Sequence, residues 1–258
     1  MRSRLNTASF AGVYGLLATL CVLMLPTLGK AQNVASSPAP DQVSVIAQFL
    51  AKPGQEKALR AKLLAMIAPT RAESGCISYD LHVNQANPAQ FFFLENWKNE
   101  AVLDAHMKTP HFVKYITNGT PALIAAPYTI AKGRILSQFI PKTQTDARLR
   151  AASSLTLVPF FTVNPEKYAQ VLKAHQAMIA PTRAEKADIS YDLYQARAND
   201  SVFYFVENWE SMAGLKKHMM TAHYVAHVNK LADPGLAVPF TYLLLKRISP
   251  PGIGQGAQ

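Results

Sequence analysis

The segment Phe91 to Trp97, FFFLENW, sets a carboxylate and an indole two residues apart. In a strand, the two-residue period places Phe91, Phe93, Glu95 and Trp97 on one face and Phe92, Leu94 and Asn96 on the other. An aromatic wall with a polar corner suits a pocket for an aromatic ligand; it equally suits a core tryptophan beside a hydrogen-bonded glutamate. His106 follows, three residues after Leu103, so on a helix its imidazole points to the apolar side. There a histidine is either a general base titrating near neutrality or a hydrogen-bonded core residue. His111 comes five residues later, and five helical steps rotate by about 140°. The two cannot hold one metal from a continuous helix, and Pro110 is expected to end that helix. HExxH, zinc-spaced cysteine pairs and clustered carboxylates are missing, so no metal site is expected. GxGxxG, Walker and GxSxG motifs are also absent, which removes the usual anchors of nucleotide, flavin and serine-hydrolase chemistry.

Most of these residues occur twice. FYFVENW brings Phe203, Phe205, Glu207, Asn208 and Trp209, and HMMTAHY brings His218 and His223. AMIAPTRAE stands at both Ala65–Glu73 and Ala177–Glu185, an offset of 178 − 66 = 112. The same offset lays ISYDL at Ile77 on ISYDL at Ile189, Pro53 on Pro165 and Pro127 on Pro239. This is a tandem duplication, with domains expected at 42–136 and 154–248. Residues 137–153 are polar and basic enough for a linker, and 249–258, SPPGIGQGAQ, hold too little apolar content to pack, so a mobile tail is expected.

Each copy orders its elements as strand, helix, strand, strand, helices, strand, which is an α+β pattern with helices on one face of a small sheet. VSVIAQFLA and LTLVPFFTV are apolar at most positions, as in strands covered on both faces. A helix over 54–74 carries the stripe Leu59, Leu63, Met66, Ile67 and Thr70. Arg71 and Arg183 flank that stripe, four residues after Ile67 and Ile179, and are candidates to reach a ligand beside Tyr79 and Tyr191. The rest of AMIAPTRAE reads as architecture, its proline bending the helix and its Arg and Glu holding the chain that enters SYDL. A sheet this small leaves a second face to bury, so the two halves are expected to pack sheet to sheet as an intramolecular pseudo-dimer.

Arg2 and Arg4, an apolar run and Gly29-Lys30-Ala31 form a secretory signal peptide pattern over 1–31, with a periplasmic or secreted product and no stable membrane association after cleavage. Its removal takes three basic residues, so the net charge falls from +10 to 10 − 3 = +7. The remaining basic residues are scattered, which argues against nucleic acid as a partner. Cys76 is then the single cysteine, so no internal disulfide staples the core.

Taken together, APTRAESGCISYDLHVNQANPAQFFFLENWKNEAVLDAHMKTPHF resembles the antibiotic biosynthesis monooxygenase domain, especially its quinol-monooxygenase-like members. The resemblance implies two ferredoxin-like domains pairing into a dimeric α+β barrel. It further implies cofactor-independent oxidation of a quinol or polyphenol by dioxygen, so that the partners are a small aromatic substrate and dioxygen, with no cofactor. Trp97 and Trp209 match the family's strand tryptophan, His106 and His218 its helical polar position, and Asn96 and Asn208 are the nearest counterparts of its catalytic asparagine. These six are the expected catalytic residues. Glu95, Phe93, Phe91, Tyr79, Arg71 and His111, with Glu207, Phe205, Tyr191, Arg183 and His223, are the expected substrate contacts. The family's heme-degrading branch fits less well: Ile116 and Val228 stand where its iron-binding histidine is expected, and Phe49 and Phe161 flank the place of its strand-one asparagine. A noncatalytic barrel that binds an aromatic ligand is the other alternative. Gly75-Cys76 becomes Ala187-Asp188 and Pro110 becomes Ala222, so the second half is expected to serve chiefly as partner to the first. Exposed sheet edges leave a further homo-oligomer open.

Overall fold

The structure, a computed structural model, describes residues 41–137, 155–232, 235–252 and 254–257. All belong to one compact unit, Ala31–Gln258. The signal peptide and linker residues 138–153 lie outside the described residues. In the first half β1 (Val43–Leu50) leads to helices α1 (Glu56–Leu64) and α2 (Ile67–Arg71), then β2 (Cys76–Asn84) and β3 (Gln90–Trp97). Helix α3 (Glu100–His106), α4 (Pro110–Phe112), a π-helical turn (Val113–Thr117) and β4 (Thr129–Ile135) complete it. The second half repeats this as β5 (Leu155–Thr162), α5 (Tyr168–Arg183), β6 (Asp188–Ala196), β7 (Val202–Trp209), α6 (Met212–His218), α7 (Ala222–Ala232) and β8 (Thr241–Arg247). The long helix predicted over 54–74 is two helices in the first half but continuous through Pro181 in the second; nothing in the two sequences explains the difference.

Eight antiparallel strands close into a barrel in the order β1-β3-β2-β8-β5-β7-β6-β4. Each half supplies a four-stranded sheet, and the halves join where β2 meets β8 and β4 meets β6. Two ferredoxin-like sheets therefore meet along their edges, and their concave faces enclose a shared core of Ile46, Phe92, Leu94, Ile135, Val158, Tyr194, Tyr204 and Leu245. Every one of these strands has two neighbours, with three residue pairs at each of the two seams between the halves. The convex faces carry the helices over two separate cores, one around Leu59, Leu63, Met66, Phe93 and Trp97, the other around Val171, Met178, Phe203, Phe205 and Trp209. Burying each such side chain contributes roughly 1.5–3 kcal/mol. Among the described residues no helix is long and apolar enough to cross a membrane.

A reciprocal latch ties the halves. Arg183 pairs with Asp192 at 2.5 Å, Ser137 just beyond β4 donates to that carboxylate, and Leu193 N donates back to Ser137 Oγ. The mirror set is Arg71–Asp80 at 2.6 Å with Ser249 from beyond β8, whose hydroxyl also accepts from Leu81 N. Each half's final residues thus lock onto the other half's SYDL strand. This corrects the expected boundaries, since Ser137 and Ser249 belong to the folded halves. The tail is also docked in its described part: Pro250 O accepts from Arg71 Nη1, and Gly254 N donates to Ile77 O. A Cβ at Gly254 would lie 2.1 Å from Cys76 O, so only glycine permits that approach.

Candidate active site

The alternation expected of FFFLENW is present. Phe91, Phe93 and Trp97 join the core beneath the helices, Glu95 faces the same way, and Phe92 and Leu94 face the barrel interior. On the helical side of the first sheet lies a narrow cleft. Val45, Ala47 and Phe49 of β1, Tyr79 of β2, Phe93 and Glu95 of β3, and Tyr128, Ile130 and Lys132 around β4 form its floor. Leu103, His106, Met107, Phe112 and Ile116 form its roof.

Local sequence fixes the roof. The side chain of Asn99 accepts from Val102 N and starts α3, and that of Thr109 accepts from Phe112 N and starts α4, with Pro110 in the first turn where its missing N–H costs nothing. The chain therefore breaks after His106, and His111 sits on a separate segment. The angular argument against a shared ligand, which assumed a continuous helix, fails for this reason: the two rings lie 5.8 Å apart and both reach Glu73. Glu73 Oε1 is 2.7 Å from His106 Nδ1 and 2.9 Å from His111 Nε2. Glu73 was not among the expected site residues.

The His106–Glu73 contact makes a carboxylate-oriented imidazole. With its Nδ1–H donated to Glu73, the ring of His106, itself part of the cleft wall, keeps Nε2 as its proton acceptor. Trp97 lies behind this ring, with centroids 4.5 Å apart, and its Nε1 donates to Glu95 Oε2 at 2.8 Å. Burial pushes the Glu95 carboxyl up to about 8; the Trp97 hydrogen bond opposes the shift and the charge of Glu73 adds to it. At neutral pH Glu95 is therefore mostly a carboxylic acid. Burial, reinforced by Glu95, also holds the Tyr79 phenol well above its ordinary value, so it remains a neutral wall residue.

Of the expected site residues, His106, Glu95, Phe93 and Tyr79 line the cleft. Trp97 and His111 stand one layer behind and act through Glu95 and Glu73. Phe91 is a core residue. Asn96 is on the opposite face, donating to Ser78 Oγ and accepting from Tyr194 inside the barrel, and Asn208 likewise bonds Ser190 and Thr156. Strand alternation thus turns both asparagines, expected to be catalytic, away from the helical side of their sheets. Arg71 and Arg183 bind the Tyr79 and Tyr191 carbonyls and the latch aspartates, so they hold β2 and β6 and do not reach a ligand.

The second half repeats the arrangement. His218 Nδ1 is 2.6 Å and His223 Nε2 2.9 Å from Glu185 Oε1, the Trp209 and His218 rings are 4.7 Å apart, and Trp209 donates to Glu207 at 3.1 Å. Burial raises Glu207 to about 8 and lowers His218, Glu185 opposing the latter. His218 Nε2 is buried without a hydrogen-bond partner among the described residues. Tyr191 and Phe205 pack beside it as a tilted pair, where Tyr79 and Phe93 stack in the first half. The exchange of Gly75 for Ala187 is compensated. A Cβ at Gly75 would strike Val102, whereas beside Ala187 the position of Val102 is taken by Gly214. A difference that sequence reasoning missed lies deeper: His175 and His227 stand where the first half has Leu63 and Tyr115, and they contact each other at 2.9 Å beneath Phe161.

The fold and the His–Glu site repeated in each half define a dimeric α+β barrel contained in one chain. The chain matches the family described as antibiotic biosynthesis monooxygenase over residues 42–118 and 154–230, and it belongs to that family. The Mycobacterium tuberculosis protein named "Putative monooxygenase Rv0793" is 45% identical over 73 residues, 28% of this chain and 71% of that protein. The Bacillus subtilis protein YcnE, with the same designation, is 32% identical over 76 residues, 30% of this chain and 80% of its own. A solved structure of the same designation from Fusobacterium nucleatum superposes with a TM-score of 0.69 at 11% identity, over 83% of this chain and 94% of that one, which shows the shared fold. Family and relatives support a monooxygenase-like function.

Proposed function

We propose that the first cleft oxidises a quinol or polyphenol with dioxygen, without a bound cofactor, in an exported protein. The observation that carries this reading is the pairing, in one aromatic cleft, of an imidazole oriented by a carboxylate with a buried glutamate that accepts from Trp97. His106 Nε2 removes a phenolic proton, and the electron-rich anion then reduces dioxygen itself. Glu95, its Oε2 occupied by the Trp97 N–H, offers an O–H to the peroxide formed on the ring. One oxygen atom stays on the ring and the other leaves as water, all four electrons coming from the substrate. Phe49, Phe93 and Tyr128 supply flat contacts and exclude water. Export rests on the pattern of residues 1–31 alone.

Oxygen uptake by the metal-free protein over a panel of hydroquinones and polyphenols tests the proposal. The expected result is uptake that is lost in His106→Ala; tight binding of the same compounds without uptake would replace it with the ligand-binding alternative.

A further inference from the structure

Hydrogen bonding to His106 would need one imidazole against Glu73, yet a second arrives from a separate helical segment. The donor atoms of Glu73, His106 and His111 all lie within 4.8 Å of one another, and those of Glu185, His218 and His223 do the same. Donors held at about 2.1 Å from one ion stand roughly 3.0 Å apart at right angles and about 3.4 Å apart at the tetrahedral angle. The observed His–Glu contacts of 2.7 and 2.9 Å, and 2.6 and 2.9 Å in the second half, fall within a few tenths of an ångström of the first figure. The side chains of Glu73 and His111 are 18% and 19% exposed, so an ion can reach the cluster from solvent while the buried His106 stays in place.

We infer that each half binds one divalent transition ion, through Glu73, His106 and His111 in the first and Glu185, His218 and His223 in the second. Two imidazole nitrogens and one carboxylate oxygen match the zinc, cobalt and nickel class, with water completing the shell. Coordination at His106 Nδ1 moves that ring's proton to Nε2. The nitrogen facing the cleft then donates a hydrogen bond and no longer accepts a proton. On the functional reading proposed above, the ion therefore inhibits the base without touching the substrate.

The test is titration of the full metal-free chain with Co²⁺, following ligand-field absorption and calorimetric stoichiometry. Two ions per chain are expected. Glu73→Gln or His111→Asn, and separately Glu185→Gln, should each remove a direct ligand and reduce the stoichiometry from two ions to one. His175→Leu combined with His227→Tyr, which restores the first-half residues, should leave both sites intact. A cobalt spectrum that the wild-type chain leaves identical to that of the aquo ion at millimolar cobalt overturns the inference whatever the variants do. So does a stoichiometry that Glu73→Gln and Glu185→Gln, with native circular dichroism, leave unchanged. Binding at these residues without loss of oxygen uptake keeps the ion site and overturns the assignment of His106 as base, so the two readings fail separately.

Discussion

Replacing Glu95 by Gln should change how stability depends on pH. The carboxyl titrates at about 8 in the folded chain against an ordinary value of 4.5, and its environment is fully buried. Between those values the folded state holds a proton that the unfolded state has released. A folded pKa raised in this way gives stability that is complete below pH 4.5 and is lost as pH rises through 8. The linkage slope is roughly 1.4 kcal/mol per pH unit, so the window costs the protein about 5 kcal/mol in all. Glu207, also at about 8, adds an equal slope. Glutamine keeps the side chain's shape and an oxygen to accept the Trp97 N–H, but does not titrate. Urea unfolding followed by fluorescence at pH values from about 5 to about 8 should therefore show the Glu95→Gln variant losing stability less steeply than wild type, by that same slope. The double variant with Glu207→Gln should be shallower by about twice as much. Curves that run parallel for wild type and variant would refute the burial argument, and with it the protonated acid in the cleft.

His106→Ala should lower turnover by about 10²–10⁴-fold, the range for a lost general base, while Trp209→Phe and His218→Ala leave most of it; equal losses from the two halves would show that both clefts work. Trp97→Phe removes the hydrogen bond that holds Glu95 down, so infrared titration should find its carboxylic acid persisting to higher pH, by about 1–2 units if the bond contributes 1.5–3 kcal/mol. Burial, with His227 adding to it, lowers His175 well below its ordinary value, so that histidine contributes stability above pH 6.5 that is lost as pH falls. His175→Leu with His227→Tyr should therefore gain stability in acid relative to neutral pH, measured by thermal unfolding at about pH 5 and 7. Truncation after Ser249 should make the fully buried Cys76 react with a thiol reagent at least about tenfold faster than in the full chain, because thiol reactivity follows exposure.

Periodicity made the sheets legible: FFFLENW shows which face each residue takes, and the offset of 112 shows that the pattern occurs twice. The same periodicity places Asn96 away from the cleft, yet resemblance to a family asparagine outweighed it. Glu73 was hidden because it lies 33 residues before His106 and no local pattern joins them. Its signal was retention in both copies, which had been assigned wholly to architecture. The break between His106 and His111 was announced by Thr109-Pro110, but the consequence, two rings turned toward one carboxylate, needed the third dimension. His175 could have been found as a polar residue on an apolar helical stripe where the other copy has Leu63. The docking of SPPGIGQGAQ was not legible from apolar content, since its described contacts are made by backbone and glycine.

The reciprocal latch sets an order of events during synthesis. A ribosome makes all of β1 to β4 long before β8, Ser249 and the residues that cover Cys76. Until β6 and β8 have been made, β4 and β2 of the nascent first half have no partners on their outer sides, and their unpaired backbone is an invitation to other chains. Closure of the barrel thus waits for β8 and Ser249, and chains that stop short of them should depend on chaperones although most of both halves is already made.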